Sequence, residues 1–406
     1  MMGLAAVPVR RIIGAVSDAA ARWADADFPP RVRLLDPIAA RTGYSIPVIE
    51  YALDQLFNSI GARDLEATIA NELGSLEILD RFTERQSRSK ALARSVGSVC
   101  VISSRTTIGV AILPAVFALC AKCEVLVKDR EDGLVRAFFS TLYDELDEFR
   151  AAARAQTWSG DDDAVDLAQF KVVVAFGSDS TLIRIAQTTA PSTFIGYGSK
   201  ATIGYAGRDA LADEAAARAI AEGAARDLVL YESEGCLSLH ALFVEDGGAV
   251  TPQQFCALLA EAVERAAIEF PPGARDARAS ARIANARNLA AFRSAIGRGA
   301  VFSDERASYL AVLDPPQNEP PAFLPRALAV HTVDSPDDAV AYVRRHELPL
   351  EAVAVAGVRD DIINAALSLG VNRITSFGEL QRPPASGNHG GRARIADFVR
   401  WVSLET

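Results

Sequence analysis

The chain has 406 residues, of which 50% are hydrophobic and 23% are charged, and its formal net charge at pH 7 is −10. This composition is typical of a globular protein, and the length predicts two or three domains because it exceeds what one core organises. The acidic balance argues against a nucleic-acid-binding protein, which needs a basic face. The most apolar run, 107–127, is interrupted by Pro114, Lys122 and Glu124, so it predicts a buried core segment and not a membrane span.

The cysteines and histidines do not indicate a disulfide framework or a metal site. Five cysteines form an odd and sparse set in a chain of this length. Cys120 and Cys123 have CxxC spacing, but no second pair or nearby histidine completes a zinc site, so we interpret them as small buried residues. The four histidines are dispersed, and residues 1–30 lack the features of a secretory signal peptide. We therefore expect a cytoplasmic protein without a bound metal.

The N-terminal part, to about residue 90, is predicted to be helical because Leu, Ile and Val recur at spacings of three and four. Ser45 precedes Pro47 at the start of one such helix and is a candidate N-cap. A strand, a helix and a strand are predicted next, at 95–103, 113–122 and 123–128. This order forms a βαβ unit, which implies a parallel sheet.

The same alternation continues through the middle of the chain. A helix, an acidic loop, a strand, a helix and a strand are predicted at 134–153, 158–166, 170–176, 181–188 and 192–197. The strand that ends at residue 176 is followed by Gly177 and Ser178. A Gly-Ser turn before a helix is where a doubly wound sheet binds phosphate, because the helix N-terminus offers free N–H groups. Most such turns are plain connections, so this signal alone is weak.

The second half predicts a further α/β series. An Ala-rich helix at 210–226 is followed by DLVLY at 227–231, which we interpret as a strand leading to Cys236, and by a strand at 241–245. The Pro-rich stretch 315–325 is expected to be a surface loop. The last segment, 395–405, predicts a strand that pairs either with a neighbouring subunit or with an edge of its own subunit.

Cys236 is the strongest candidate nucleophile on local grounds. It follows Gly235, which permits a tight backbone and leaves room for a substrate. A cysteine at the start of a turn can receive backbone N–H donors, which lower the thiol pKa and favour the thiolate. A buried structural cysteine fits the local sequence equally well.

The segment Gly235–His240 (GCLSLH) resembles the GCLSPH signature of the long-chain acyl-CoA reductases, the fatty-acid reductase subunit of bacterial luminescence systems. The order of Lys128, the Gly-Ser turn, the segment 195–200 and Gly-Cys is similar to that of the wider aldehyde dehydrogenase superfamily. Family-like blocks also lie at 42–57, 372–374, 377–384 and 399–405. The resemblance spans nearly the whole chain and is loosest at about 250–320.

This resemblance implies an α/β, aldehyde dehydrogenase-like fold with two doubly wound parallel-sheet domains. Residues 1–208 would form a helical region and the dinucleotide-binding domain, and residues 209–384 a catalytic domain carrying Cys236. Residues 385–406 would form a small C-terminal segment that supports oligomerisation or returns to the first domain. The family also implies a homo-oligomer, an acyl-CoA substrate and an acyl-transferring partner enzyme, with no nucleic acid.

The implied reaction is NAD(P)H-dependent reduction of an acyl-CoA to an aldehyde through a thioester on Cys236. His240 would tune that thiol or shuttle a proton. In the cofactor site, Lys128 would hold the adenosine ribose, and the remaining positions would be Arg130, Gly177, Ser178 and Gly198. Arg130 could bind a 2′-phosphate while its neighbour Asp129 could repel one, so NADP(H) is favoured and NAD(H) stays an alternative.

Three departures from the superfamily pattern bear on activity. Gly196 stands where oxidising members carry the Glu that activates water, so the thioester should be spared for exchange with coenzyme A. A second family Glu, which precedes a Phe-Gly-Pro that contacts the nicotinamide ribose, is also missing; here Pro321 precedes Phe323. The stretch 103–107 lacks the Asn of the oxyanion hole, a loss worth about two to three orders of magnitude in rate. Arg105 or Thr106 is the candidate substitute.

Two alternatives stay open at this point. One is an aldehyde dehydrogenase that forms free acid, which Gly196 argues against because no water-activating base stands there. The other is a non-catalytic or weakly active scaffold paralogue that keeps the fold, which the altered oxyanion and ribose positions favour.

Overall fold

The computed structural model describes residues 3–84, 89–159 and 165–405. The acidic loop expected at 158–166 therefore lies mostly outside the described residues. The chain divides into two compact units. The first unit contains Met1–Thr42, Ile49–Ser199 and Pro384–Thr406, and the second contains Gly43–Val48 and Lys200–Pro383.

The N-terminal part is helical, as predicted, and ends in two strands. Its elements are α1 (Val9–Ala24), α2 (Pro29–Val32), α3 (Leu35–Thr42), α4 (Ile46–Asn58), α5 (Ala62–Leu73), β1 (Thr83–Glu84) and β2 (Lys90–Ser95). Trp23 on α1 is fully buried, and its indole N–H donates to Thr141 Oγ1 at 2.9 Å. The prediction that Ser45 caps α4 through its side chain is wrong, because its Oγ is buried without a hydrogen-bond partner among the described residues.

A parallel sheet forms the centre of the first unit. Its elements in chain order are β3 (Ser98–Ile102), α6 (Ile112–Cys120), β4 (Glu124–Lys128), α7 (Leu134–Glu145), α8 (Phe149–Ala152), β5 (Ala153–Gln156), β6 (Val172–Phe176), α9 (Asp179–Gln187) and β7 (Thr193–Tyr197). The strand order is β5-β4-β3-β6-β7. The helix predicted at 134–153 is interrupted at Leu146, whose backbone is extended. Ala153, the last residue of the predicted helix, is the first residue of β5. The strand order reverses between β3 and β6, which is where doubly wound sheets bind ligands.

A second, mostly parallel sheet forms the centre of the second unit. Its elements in chain order are β8 (Ala201–Ala206), α10 (Glu214–Val229), β9 (Leu239–Glu245), α11 (Pro252–Glu269), α12 (Ala277–Ala295), β10 (Ala300–Phe302), β11 (Leu310–Leu313), β12 (Ala327–Val333), α13 (Pro336–Arg345), β13 (Leu350–Ala356), α14 (Asp360–Ser368) and β14 (Arg373–Thr375). The strand order is β10-β11-β12-β9-β8-β13-β14. Because β8 pairs with β9 and β13, the two units separate between Ser199 and Lys200, where the sequence suggested residue 208.

The strand predicted at 227–231 is wrong, because α10 continues to Val229 and a short turn follows. Leu228 lies four residues after Ala224 and seven after Ala221, so it falls on the same buried face of the helix. The side chain of Asp227 is fully buried and accepts the backbone N–H groups of Gly378 and Leu380 at 2.7 and 3.2 Å. Helical periodicity and this distant contact together outweigh the β propensity of a short apolar run.

The C-terminal segment packs within the first unit. Strand β15 (Val399–Leu404) pairs antiparallel with β2, which also pairs with β1. Just before it, the Glu72 carboxylate accepts the backbone N–H groups of Arg394, Ile395 and Ala396 at 2.7 to 3.2 Å. The last strand is therefore itself an edge strand of a three-stranded sheet within its own chain. Across the described ranges, no helix is both long enough and apolar enough to cross a membrane.

Candidate active site

Cys236 lies in a tight turn between α10 and β9. The turn is preceded by Tyr231, Glu232 and Ser233, all in the left-handed region with φ of 57°, 51° and 57°. Each such residue costs about 1–2 kcal/mol for an L-amino acid. Strain of this kind persists only where the surroundings enforce it, and it concentrates at functional sites.

Cys236 is an exposed residue, whereas the other cysteines of the chain are buried. Protein atoms around it are nevertheless dense enough that desolvation raises the pKa of the thiol to about 11, and the negative charge of Glu351 acts in the same direction. The backbone N–H groups of Cys236 and Leu237, together with Lys200, lower that pKa. The expected N–H donors are therefore present, but the expected net lowering of the pKa is wrong, because desolvation outweighs them. The exposed position of Cys236 leaves the residue accessible to a substrate.

His240 lies on β9 and is buried. Its Nδ1 accepts the backbone N–H of Thr202 at 3.3 Å, which assigns the proton to Nε2, and Nε2 lies 3.2 Å from the Ser233 carbonyl oxygen. Burial lowers the pKa of His240 to about 4, so the ring is neutral at pH 7. Both ring nitrogens bind backbone groups, those of Thr202 and Ser233, which favours a role in holding the turn over one in moving a proton.

Thr202, Ser238 and Gln381 complete the support of the turn, and the sequence analysis did not identify them as site residues. The Thr202 hydroxyl donates to the Cys236 carbonyl at 2.8 Å. The Ser238 hydroxyl accepts the Gly235 N–H and the Gln381 amide N–H, both at 3.2 Å. The signal for Ser238 was present in the GCLSLH motif. Thr202 and Gln381 are distant in sequence, and only the fold brings them to the turn.

Phe323 from the Pro-rich loop packs beside His240, with ring centroids 4.9 Å apart. It is 47% exposed and has a φ of 45°, which is unusual for a bulky residue. The loop therefore places an apolar, accessible ring next to the residues that hold the thiol.

In the first unit, an open cleft of about 1330 Å³ is lined by residues at the carboxyl ends of β3, β4 and β5 and by the end of α9. Lys128 is the last residue of β4, and its Nζ lies 4.9 Å from the centre of the Trp158 ring. Arg130 and Arg105 line the same cleft, and so do Arg41, Arg136 and Arg184. This concentration of cations fits a ligand that carries phosphate groups.

Two details of the cleft bear on a 2′-phosphate. Burial lowers the pKa of Arg130, and the positive charge of Arg105, which lines the same cleft, acts in the same direction. The Asp129 side chain is buried, and its carboxylate accepts the backbone N–H groups of Glu131 and Arg136 at 2.9 and 3.1 Å. Asp129 is therefore occupied in holding the chain after β4, which reduces its capacity to repel a phosphate.

Gly177 and Ser178 follow β6, and Ser178 occupies the N-cap position of α9. The Ser178 hydroxyl lies 3.2 Å from Ser180 Oγ and 3.0 Å from Thr181 Oγ1. Position 198 requires a glycine for a steric reason, because a Cβ there would collide with the Asp179 carboxylate. That carboxylate accepts the Ser199 N–H at 3.0 Å. Gly198 thus permits a close approach of the chain to the start of α9.

The loop 104–109 is held from two sides. The Arg105 carbonyl accepts from Arg41, and the Gly109 N–H donates to the buried Glu131 carboxylate. Arg105 and Thr106 are both exposed on this loop. Burial raises the pKa of Glu131 to about 8.

Within the first unit, the structure brings Arg105, Lys128 and Arg130 to one cleft, and within the second it brings Cys236 and His240 to one turn.

Comparisons with known proteins agree with this architecture. The family model described as acyl-CoA reductase (LuxC) matches residues 4–401. The chain is similar to aldehyde dehydrogenase 21 from Physcomitrella patens, solved with the reaction product succinate, at 11% identity and a TM-score of 0.71 over 99% of this chain and 86% of that one. It is also similar to an NAD-dependent benzaldehyde dehydrogenase from Corynebacterium glutamicum, at 15% identity and a TM-score of 0.70 over 99% and 87% of the two chains.

A third similar structure is glyceraldehyde-3-phosphate dehydrogenase GapN from Methanocaldococcus jannaschii complexed with NADP, at 9% identity and a TM-score of 0.70 over 99% and 90% of the chains. No curated protein matches the sequence. At these identities the structural likeness shows the fold, and it confirms the predicted α/β, aldehyde dehydrogenase-like class.

Proposed function

The chain belongs to the acyl-CoA reductase (LuxC) family and is an oxidoreductase, and from this premise we propose that it reduces a fatty acyl-CoA to the aldehyde through a thioester on Cys236. The observation that carries the proposal is the exposed position of Cys236 in a strained turn, where backbone N–H groups lower the pKa of its thiol. The family membership agrees with the resemblance drawn from the sequence.

The acylation step follows from the geometry of the turn. The sulfur of Cys236 attacks the thioester carbonyl, a new carbon–sulfur bond forms, and coenzyme A leaves as its thiol after taking up the proton. The backbone N–H groups of Cys236 and Leu237 lower the pKa of the thiol, so we assign them to stabilise negative charge as it develops on the sulfur and on the carbonyl oxygen. Phe323 offers an apolar contact for the acyl chain beside His240.

The cleft of the first unit suits a phosphorylated dinucleotide, because Lys128, Arg130 and Arg105 line it at the carboxyl edge of a doubly wound sheet. We assign NADP(H) to it in preference to NAD(H), since clustered guanidinium groups bind a phosphate well. NADPH bound there would supply a hydride to the thioester carbonyl; the carbon–sulfur bond would then break, with release of the aldehyde and return of Cys236 to its free thiol. Gly177 and Ser178 at the start of α9 are assigned to the pyrophosphate, because a helix N-terminus offers N–H groups to anions.

Gly196 accounts for reduction rather than hydrolysis in this proposal. It lies in β7 without a side chain, and a Cβ at this position would come within 2.9 Å of the Phe194 ring. No carboxylate stands at this position to activate water, so the acyl-enzyme should persist in water. Of the two candidates for the missing oxyanion donor, Thr106 is preferred, because Arg105 lines the cleft assigned to the cofactor phosphates.

The direct test is steady-state reduction of an acyl-CoA panel with NADPH. Wild type should form aldehyde and little free acid, and Cys236→Ala should form none. Cys256→Ala, which alters a buried cysteine of the same unit, is the matched control and should retain activity. Aldehyde formation by Cys236→Ala would refute the covalent route, and rapid release of free acid by wild type would favour a hydrolytic dehydrogenase.

The family also leads us to propose a homo-oligomer that receives acyl groups from an acyl-transferring partner enzyme. Light scattering coupled to size-exclusion chromatography tests the first part. A monomer at micromolar concentration would contradict it.

A further inference from the structure

Glu232 is the centre of a buried ion cluster beneath the turn that carries Cys236. Its Oε1 accepts from Arg326 Nε at 2.8 Å and from the Gly273 N–H at 3.1 Å, and its Oε2 lies 3.5 Å from Arg275 Nη2. The Glu232 and Arg326 side chains are only 7% and 1% exposed. Removing one partner of such a pair leaves an uncompensated buried charge, so the cluster resists displacement.

Both arginines are anchored to the backbone of other segments. Arg326 donates to the carbonyls of Phe270 and Pro271 at 2.9 and 3.1 Å, just after α11. Arg275 donates to the carbonyl of Ala307 at 2.9 Å, ahead of β11. The cluster therefore fixes Glu232 against two loops that are distant from it in sequence.

The backbone at Glu232 needs such an anchor. Tyr231, Glu232 and Ser233 are all left-handed, although none is glycine. The Ser233 carbonyl lies 3.2 Å from His240 Nε2, and Cys236 follows three residues later. A change in this turn would therefore move both the support of the thiol and the thiol itself.

We propose that Glu232 is a positioning residue for Cys236, because its carboxylate, held by Arg326 and Arg275, keeps the left-handed turn in the conformation that presents the thiol to the acyl group. The inference rests on the proposed function, in which Cys236 is the nucleophile. Without the carboxylate, the turn relaxes toward ordinary backbone conformations and displaces the sulfur. A displacement of about 1 Å costs on the order of 100-fold in rate.

The test compares Glu232→Gln with Glu245→Gln. Glu245 is a matched control, since it is a buried carboxylate of the same unit, 3% exposed and bound by Arg208 and Arg359, at the far end of β9 from His240. The readout is the single-turnover rate of thioester formation on Cys236 with decanoyl-CoA, followed by intact-protein mass below the melting transitions of both variants. Glu232→Gln should acylate about 10- to 100-fold more slowly at an unchanged half-saturating concentration, and Glu245→Gln at the wild-type rate.

A rescue variant separates positioning from general destabilisation. Ser233→Gly, added to Glu232→Gln, allows the left-handed conformation without strain and keeps the carbonyl that His240 binds, so it should restore part of the rate. If Glu232→Gln does not fold, Arg275→Gln carries the same comparison, because it leaves Arg326 on Glu232.

Acylation of Glu232→Gln as fast as that of Glu245→Gln would overturn the inference. If wild type forms no thioester, the proposed function fails instead, and alkylation of Cys236 by iodoacetamide then decides the positioning role. Slower alkylation in Glu232→Gln than in Glu245→Gln supports it, and equal rates overturn it.

Discussion

Two single charges near Cys236 shift the pKa of its thiol in opposite directions. Glu351 at the start of β13 raises the pKa of the thiol, and Lys200 just before β8 lowers it. Because the thiolate is the reactive form, either charge should change the alkylation rate in a defined direction. Desolvation is the larger cause of the raised pKa, so each single change should be moderate.

We predict that Glu351→Gln increases, and Lys200→Gln decreases, the rate of Cys236 alkylation by iodoacetamide at pH 8. Each effect should be below about tenfold, since one pKa unit changes the thiolate fraction tenfold. Mass spectrometry of the labelled peptide measures the rate, and Cys236→Ala shows the background from the buried cysteines. Identical rates in both variants would contradict this account of the thiol.

His331 is a buried residue that the proposed mechanism does not use. Neither of its ring nitrogens has a hydrogen-bond partner in the described part of the chain, and its ring packs 5.3 Å from Phe243 and 4.5 Å from Tyr342. Burial lowers the pKa of His331 to about 4. The unfolded chain therefore binds more protons than the native state between pH 6.5 and 4, so this residue reduces stability as the pH falls through that window.

We predict that His331→Phe raises the free energy of unfolding by about 1–3 kcal/mol at pH 7, because it removes unsatisfied buried polar groups. At pH 5 the gain should grow by about 2 kcal/mol, since the titration of the unfolded chain is also removed. Chemical denaturation at both pH values measures it. His346→Phe is the control, because His346 is less buried and its Nε2 lies 2.9 Å from the Gln317 carbonyl oxygen. A gain that is smaller at pH 5 would contradict the prediction.

At the scale of secondary structure, the carboxyl end of β4 carries the chemistry of the cleft. Arg130 follows this strand, and its backbone N–H donates to Ser103 Oγ at 2.9 Å, which ties it to the end of β3. The carboxyl ends of the neighbouring strands β3 and β4 therefore position Arg130 at the cleft.

We predict that Arg130→Gln raises KM for NADPH by about 10- to 100-fold and changes KM for NADH little, because a charge-assisted hydrogen bond is worth about 1.5–3 kcal/mol. Lys171→Gln is the control, since Lys171 is an exposed cation at the opposite end of the same sheet, just before β6. Steady-state kinetics with both cofactors measure the effect. Equal increases for NADPH and NADH would place Arg130 away from a 2′-phosphate.

Some secondary-structure elements could be predicted from the local sequence, and others could not. The βαβ elements of the first unit were predicted because β-branched runs and helical periodicity are local signals. The end of α10 was not, because DLVLY suits a strand and a helix alike. The left-handed turn that follows depends on Glu232 meeting Arg326, 94 residues later, and no local pattern carries that contact.

At the scale of the whole molecule, the α/β class and the family could be read from the sequence, because the GCLSLH motif and the closing blocks lie in family order. The assignment of β8 to the second sheet and the pairing of β15 with β2 could not, since both depend on strands far apart in the chain. For the site, the sequence predicted Cys236, Lys128 and Arg130, but it did not predict the further cations Arg41, Arg136 and Arg184 that line the cleft. It missed Thr202 and Gln381, whose contacts to the turn exist only in the folded chain.

The most direct measurement is intact-protein mass spectrometry after incubation with an acyl-CoA in the absence of reductant, followed by addition of NADPH. The account predicts a single acyl adduct that maps to Cys236, persists in buffer and disappears with formation of one equivalent of aldehyde when NADPH is added. Aldehyde production without any adduct on Cys236, or an adduct that NADPH leaves in place, would contradict it.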